Sequence, residues 1–256
     1  MDSVTSGGVS DVDLGLAIIV PCYNESRRLN PDEYASFLKK QYPVKIIFSN
    51  DGSTDDTLII LQKIQDIDEK RVFIHTLDQN KGKAMAIFEG YNYCTRENIS
   101  FDKLAYLDAD GATSLEECYE LSQKIKDNVV FVFGSRILKI DNNINRKRYR
   151  HLLGRVIATF ISIQLDIKVY DTQCGCKIFE KQLASKVFKE RFISRWLFDV
   201  EIFHRILKLY GRKNIKAIAR EVPLQRWIDP GESKVSFAYG IKLWFDLLKI
   251  GRKYRQ

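Results

Sequence analysis

Five short clusters hold the residues of this chain whose types and spacing could do chemistry. Asp108-Ala-Asp110 puts two carboxylates side by side, hard oxygen ligands that suit Mg2+ or Mn2+ with a diphosphate completing the coordination. Asn80-Lys81-Gly82-Lys83 sets two cations at the start of a predicted helix, an arrangement that favours phosphate. Asp51-Gly-Ser-Thr54 reads as a turn plus helix cap, with Asp51 upstream of the cap, where it could accept hydrogen bonds from a nucleobase or ribose. Cys22-Tyr-Asn-Glu25 and Ser135-Arg136 complete the set. A later run, Arg195-Trp-Leu-Phe-Asp-Val-Glu201, combines aromatic residues with two carboxylates. It reads either as site chemistry or as buried aromatics followed by an Asp199 helix cap.

What positions the five clusters is an alternation of strands and helices. Leu16–Pro21, Val44–Ser49, Arg71–Leu77, Lys103–Asp108 and Val129–Gly134 are short apolar runs of buried-strand type. Between them, Asn30-Pro-Asp-Glu33 signals a helix start, Ser53 or Thr54 caps a helix carrying Leu58, Leu61, Ile64 and Ile67, and Gly82–Thr95 and Ser114–Lys126 are helical. Repeated β-α-β units predict a parallel sheet covered by helices, whose ligands lie beyond the carboxyl ends of the strands. Each cluster follows one of these strands. Further on, a helix with a basic start is predicted over Asn145–Asp166, strands over Thr172–Phe179 and Ile215–Val222, and helices over Lys181–Glu190 and Phe198–Tyr210. A last helix, Ser236–Lys253, aligns Phe237, Ile241, Trp244, Phe245 and Leu248.

Charge is unevenly divided. Residues 1–128 carry 14 Lys and Arg against 22 Asp and Glu; residues 129–256 carry 27 against 11, making an acidic half and a basic half that meets something anionic. The longest stretch free of Asp, Glu, Lys and Arg is Leu14–Asn24, too short for a spanning helix. Residues 1–13 read as a disordered tail without signal-peptide character, and 14–256 as a single domain. The five scattered cysteines fit a reducing cytosol, and Cys174-x-Cys176 without a neighbouring His is a poor zinc site. Neither G-x-x-x-x-G-K-[ST] nor G-x-G-x-x-G occurs, against a P-loop or a dinucleotide oxidoreductase. The basic half carries no recognisable nucleic-acid motif, and a nucleic-acid partner would leave the acidic strand-end cluster without purpose.

On Val20-Pro-Cys-Tyr-Asn-Glu25, Asn50-Asp-Gly-Ser-Thr-Asp55, Asn80-Lys-Gly-Lys83, Asp108-Ala-Asp110 and Gly134-Ser-Arg136, the chain resembles family 2 glycosyltransferases of the GT-A fold. Asp171-Thr-Gln-Cys-Gly-Cys-Lys177, Arg195–Glu201 and Glu232-Ser-Lys-Val resemble the dolichyl- and polyprenyl-phosphate glucosyltransferase branch. The chain departs from that branch at Cys176, where a Phe is expected, and the N-terminal membrane anchor of the eukaryotic dolichyl enzymes is not expected from residues 1–13. The resemblance implies an α/β, Rossmann-like, mostly parallel sheet flanked by helices with a C-terminal helical extension. Residues 14–136 would form the donor half and 137–256 the acceptor half. It further implies that Pro21, Tyr23, Glu25 and Asp51 hold the nucleoside and that Lys83 sits near the diphosphate. Asp108 and Asp110 would bind nucleotide sugar and Mg2+ or Mn2+, while Arg136, Arg146 and Lys177 face an acceptor phosphate. Asp199 falls where this superfamily often keeps a general base. The implied reaction is an inverting transfer of a hexose, glucose from UDP-glucose, to a polyprenyl or dolichyl phosphate. A glycan hydroxyl acceptor and a guanosine-mannose donor stay open. Attachment would be peripheral, to an anionic membrane surface on its cytoplasmic inner face, through the Arg146–Leu165 segment and the last helix, unless these pack on the core or on another subunit.

Overall fold

A computed structural model describes residues 15–137, 143–145, 159–228 and 237–254. β1 (Leu16–Cys22), β2 (Val44–Asn50), β3 (Val72–Thr76) and β4 (Lys103–Leu107) are parallel, joined by α1 (Pro31–Leu38), α2 (Thr57–Gln65) and α3 (Lys83–Arg96). α4 (Leu115–Ser122) leads to β5 (Phe131–Ser135), and β7 (Cys176–Glu180) inserts antiparallel between β4 and β5. With β8 (Ala219–Pro223) beside β5, the sheet order is β3-β2-β1-β4-β7-β5-β8. A second small sheet pairs β6 (Asn143–Asn145) with β9 (Arg226–Ile228).

Side chains alternate across the strands, so each face of the sheet has its own core. Leu16, Ile18 and Val20 pack with Phe37, Leu61 and Cys118 of α1, α2 and α4. Ala17, Ile19, Tyr106 and Phe179 face the other way. They meet Ile87 of α3, Leu183 of α6 (Lys181–Val187), Phe198 and Phe203 of α7 (Phe198–Tyr210), and Leu247 and Ile250 of α9 (Phe237–Tyr254). Residues 159–165 form a helical segment, α5, and residues 215–218 one short helix, α8.

The expected mostly parallel, helix-flanked sheet is present, and four local expectations change. Asn145 closes a strand instead of opening a helix, and residues 146–158 lie outside the described residues. Ile215–Ile218 is helical, so the strand expected from Ile215 begins at Ala219. The strand expected from Thr172 begins at Cys176, because Asp171 accepts from Gln173 N–H and turns the chain first. On α9 the core-facing residues are Leu247 and Ile250, whereas Phe245 and Leu248 are 69% and 56% exposed. That helix carries two apolar stripes, and periodicity does not say which one packs.

Candidate active site

The loops after β1 and β2 are sewn to each other. Asn24 N–H donates to Ser53 Oγ (3.0 Å), and Thr54 N–H donates back to Asn24 Oδ1 (2.8 Å). Glu25 N–H donates to Thr57 Oγ1 (2.8 Å), and Ser26 Oγ donates to Asp55 Oδ2 (2.7 Å). Asp56 stands at the N-cap of α2 without a side-chain bond, and Asp55 before it accepts from Thr57 N–H (3.0 Å); Ser53 and Thr54, expected as caps, are spent on Asn24. Asp51 is buried, and its two oxygens accept from Lys81 N–H and Gly82 N–H, each at 2.7 Å. Burial raises its pKa, against the pull of those two amides. Glu25 pairs with Arg28 (2.6 Å), and Pro21 and Tyr23 sit half-buried where β1 ends. Much of the motif chemistry thus builds the loops themselves.

Beyond β4, Lys83 Nζ lies 2.5 Å from Asp108 Oδ1, with side chains 25% and 33% exposed. Burial pulls the Lys83 pKa down, but Asp108 and then Asp199 outweigh it and raise it. Asp108 Oδ2 rests on the backbone of Gly175, only 2.0 Å from where a Cβ would stand, so any side chain at 175 would displace this carboxylate. Asp110 accepts from Ala112 N–H (3.1 Å); burial, then the neighbouring Asp108 charge, raise its pKa. Two adjacent, mutually repelling carboxylates with hard oxygens fit a divalent cation whose other donors come from a diphosphate and water. Among the described residues no cluster of three or more His, Cys, Asp or Glu could hold a metal unaided.

On the far side of β4 the charges turn inward. Antiparallel register sets Lys177 of β7 beside Tyr106 of β4. The Lys177 side chain is wholly buried; its Nζ donates to Asp199 Oδ1 (2.5 Å) and to Cys174 O (2.7 Å). Tyr106 Oη donates to the same Asp199 oxygen. Asp199 occupies the first turn of α7 without capping it; Ser194 Oγ accepts from Trp196 N–H (3.3 Å) and Leu197 N–H (3.0 Å) instead. Arg136 donates Nε (2.6 Å) and a terminal nitrogen (2.8 Å) to Asp171. Burial would raise the Asp171 pKa, but Arg136 pulls it down to about 2. Asp171 and Tyr170 in turn donate their N–H groups to Glu221.

The candidate residues therefore divide. Lys83, Asp108 and Asp110 come together beyond β4, each half-buried, with Asp199 close enough to act on Lys83. Arg136 and Lys177, expected to face an acceptor phosphate, have the contacts just given to Asp171 and Asp199, and Arg146 lies outside the described residues. Sequence reasoning missed Tyr106, Asp171 and Ser194. A tyrosine in an otherwise apolar strand was the one local signal for Tyr106; the partners of all three are set by tertiary structure. All five cysteines are buried and outside any disulfide.

Residues 17–188 match the model of the family described as Glycosyl transferase family 2. The chain is similar to a dolichyl-phosphate beta-glucosyltransferase of Trichomonas vaginalis (33% identity over 253 residues, 93% of this chain and 71% of the relative). It is also similar to that of Homo sapiens (30% over 255 residues, 93% and 75%). In structure it is similar to Mycobacterium tuberculosis glucosyl-3-phosphoglycerate synthase in complex with UDP, with TM-score 0.66 and 14% identity, covering 93% of this chain and 80% of that one. The same synthase with Mg2+ and UDP gives TM-score 0.63 at 13% identity, covering 93% and 79%. These solved structures fix the fold as GT-A.

Proposed function

Since the chain belongs to glycosyl transferase family 2 and is a glycosyltransferase, we propose that it transfers glucose from UDP-glucose to a polyprenyl or dolichyl phosphate, with inversion. Pro21, Tyr23, Glu25 and Asp51 form the nucleoside end of the site. Lys83 meets the diphosphate; Arg146 faces the acceptor phosphate, while Arg136 and Lys177, ion-paired with Asp171 and Asp199, hold the acceptor side in shape. An acceptor phosphate oxygen attacks the anomeric carbon from the face opposite the leaving group. The new C–O bond forms as the bond to the β-phosphate oxygen breaks, and UDP departs with the electron pair. Lys83, kept charged by its carboxylate neighbours, stabilises that developing negative charge. Mg2+ or Mn2+, held with the diphosphate by Asp108 and Asp110, supplies further charge neutralisation when bound.

The observation that carries the phosphate-acceptor reading is the state of Asp199. Its side chain is 5% exposed, and one oxygen is already held by an ammonium and a phenol. That suits a carboxylate that fixes Lys177 and Tyr106 and adds its field to Lys83, not one that collects a proton from an incoming sugar hydroxyl. A phosphate monoester, with a second pKa of about 6, is already a nucleophile near neutral pH and needs no base. The names of the sequence relatives support the same acceptor.

Attachment to the anionic cytoplasmic face of a membrane belongs to this proposal. No described helix is long and apolar enough to cross a membrane. Phe160 and Ile163 on α5 and Phe245 and Leu248 on α9 are exposed, and the last turn of α9 carries Arg252 and Lys253. The two helices touch where Gln164 packs on Gly251.

The test is UDP release from UDP-glucose with Mg2+ or Mn2+, with and without a short polyprenyl phosphate. Release that requires the lipid phosphate supports the proposal, and release only with a sugar hydroxyl overturns it. A general base contributes on the order of 10²–10⁴-fold. Asp199→Asn, checked for folding, should lose far less than that on the lipid phosphate, and a loss of that full size would restore Asp199 as the base.

A further inference from the structure

The loop between β3 and α3, which carries Lys81 and Gly82 and leads into Lys83 at the start of α3, is gripped from two sides. From the donor half, Asp51 takes the N–H groups of Lys81 and Gly82. From the other half, 115 residues away in sequence, Arg195 donates to Asn80 Oδ1 at 2.6 Å. Its Nε lies 2.4 Å from the place a Gly82 Cβ would occupy. Gly82 also holds φ +94°, which L side chains rarely adopt, so glycine at 82 permits both the turn and the close approach of the guanidinium. Arg195 is itself fixed at its root. Ser194, 2% exposed, accepts from Trp196 and Leu197 N–H and donates to Asp246 Oδ2 of α9 at 2.7 Å.

We infer that Arg195 is a positioning residue for glycosyl transfer: it reaches across from the acceptor half and holds the Asn80–Lys83 loop in the shape that presents Lys83 to the donor diphosphate. This rests on the proposed donor role of Lys83. The pairing also has a direction. Asp51 fixes the loop from within its own half whatever the rest of the chain does, whereas Arg195 ties it to the segment that carries Asp199 and, through Ser194, to α9. Donor-loop geometry thereby depends on how the acceptor half is seated. Arg195 lies on the surface, so its removal leaves the cores intact.

The experiment uses the full chain and the variants Arg195→Ala, Arg195→Lys, Asn80→Ala and the Arg195→Ala/Asn80→Ala pair. Initial rates are measured against UDP-glucose at saturating polyprenyl phosphate, and amide hydrogen exchange is followed at Lys81, Gly82 and Lys83. Arg195→Ala should raise the KM for UDP-glucose about tenfold, the size of one charge-assisted hydrogen bond, with kcat within about twofold. Asn80→Ala should match it, the double variant should be no worse than the poorer single one, and Arg195→Lys should recover part of the loss. The three amides should exchange faster in Arg195→Ala. An unchanged KM in Arg195→Ala beside an active wild type overturns the inference. So do fully additive single effects, or kcat, KM and Tm all worsening together. If the wild type itself fails to turn over UDP-glucose, the functional reading fails, and the exchange rates alone decide the latch: unaltered exchange at the three amides overturns it.

Discussion

The proposed donor and acceptor sides of the site handle charge differently. On the donor side, polar side chains are spent on backbone: Ser53, Asp55, Thr57 and Asp51 hold loop amides. The ionic groups there, Lys83 and Asp108, stay a quarter to a third exposed. On the acceptor side the ionic groups are spent on each other, with Lys177 against Asp199 and Arg136 against Asp171, at side-chain exposures of 0%, 5%, 17% and 10%. A loop built on amide hydrogen bonds leaves its charges available to a ligand. A pair buried inside the fold fixes geometry, because desolvated charges cannot be left alone.

The sharpest way to break this contrast is to unpair the acceptor side. Lys177→Met should cost about 3–5 kcal/mol of stability by stranding Asp199, and Lys177→Met with Asp199→Leu should recover most of it; urea melts of both decide. An isolated Lys177→Met that melts like the wild type would dissolve the distinction. On the donor side the damage should appear in rate instead. Lys83→Ala should lower kcat/KM about 10²–10³-fold while shifting Tm little, read from kinetics and a thermal scan on one preparation.

Two pH effects sharpen the acceptor side further. His204 is buried on α7 with Gln164 Nε2 or Oε1 3.0 Å from its Nε2 and the Tyr254 ring stacked on it. Burial, then the Arg212 charge, lower its pKa to about 4, from 6.5 for a free histidine. The unfolded chain therefore takes up this proton first. Stability is full above pH 6.5 and should fall by about 3 kcal/mol as pH drops to 4, a slope that His204→Gln should remove. Asp171 acts lower on the scale. Its folded pKa of about 2 against an ordinary 3.8 means stability present above pH 4 and lost towards pH 2, by about 2 kcal/mol. Denaturant midpoints of Asp171→Asn across that range should lack the limb. The smallest effect is Ser53→Ala, which cuts one stitch between the β1 and β2 loops and should cost about 1 kcal/mol, with a slightly weaker donor KM.

By itself the sequence determined whatever is written in short windows. The apolar runs of β1 to β5, the Asn30 cap, the bounds of α7, and the placement of polar clusters after strands were all legible, since periodicity and turn chemistry act over a dozen residues or fewer. The motifs also carried the family. They did not reveal that Asp51 would hold the Lys81 and Gly82 amides, or that Ser53 would hold the Asn24 amide instead of capping α2, because those partners come from other elements. Only the tertiary structure decided that β7 enters antiparallel beside β4, setting Tyr106, Lys177 and Asp199 together across 93 and 22 residues of chain. It likewise decided which stripe of α9 is covered and that Arg195 meets Asn80. The physical reason is the same in each case: a charged or amphipathic residue shows locally that it needs a partner, but register and packing between distant elements choose which one.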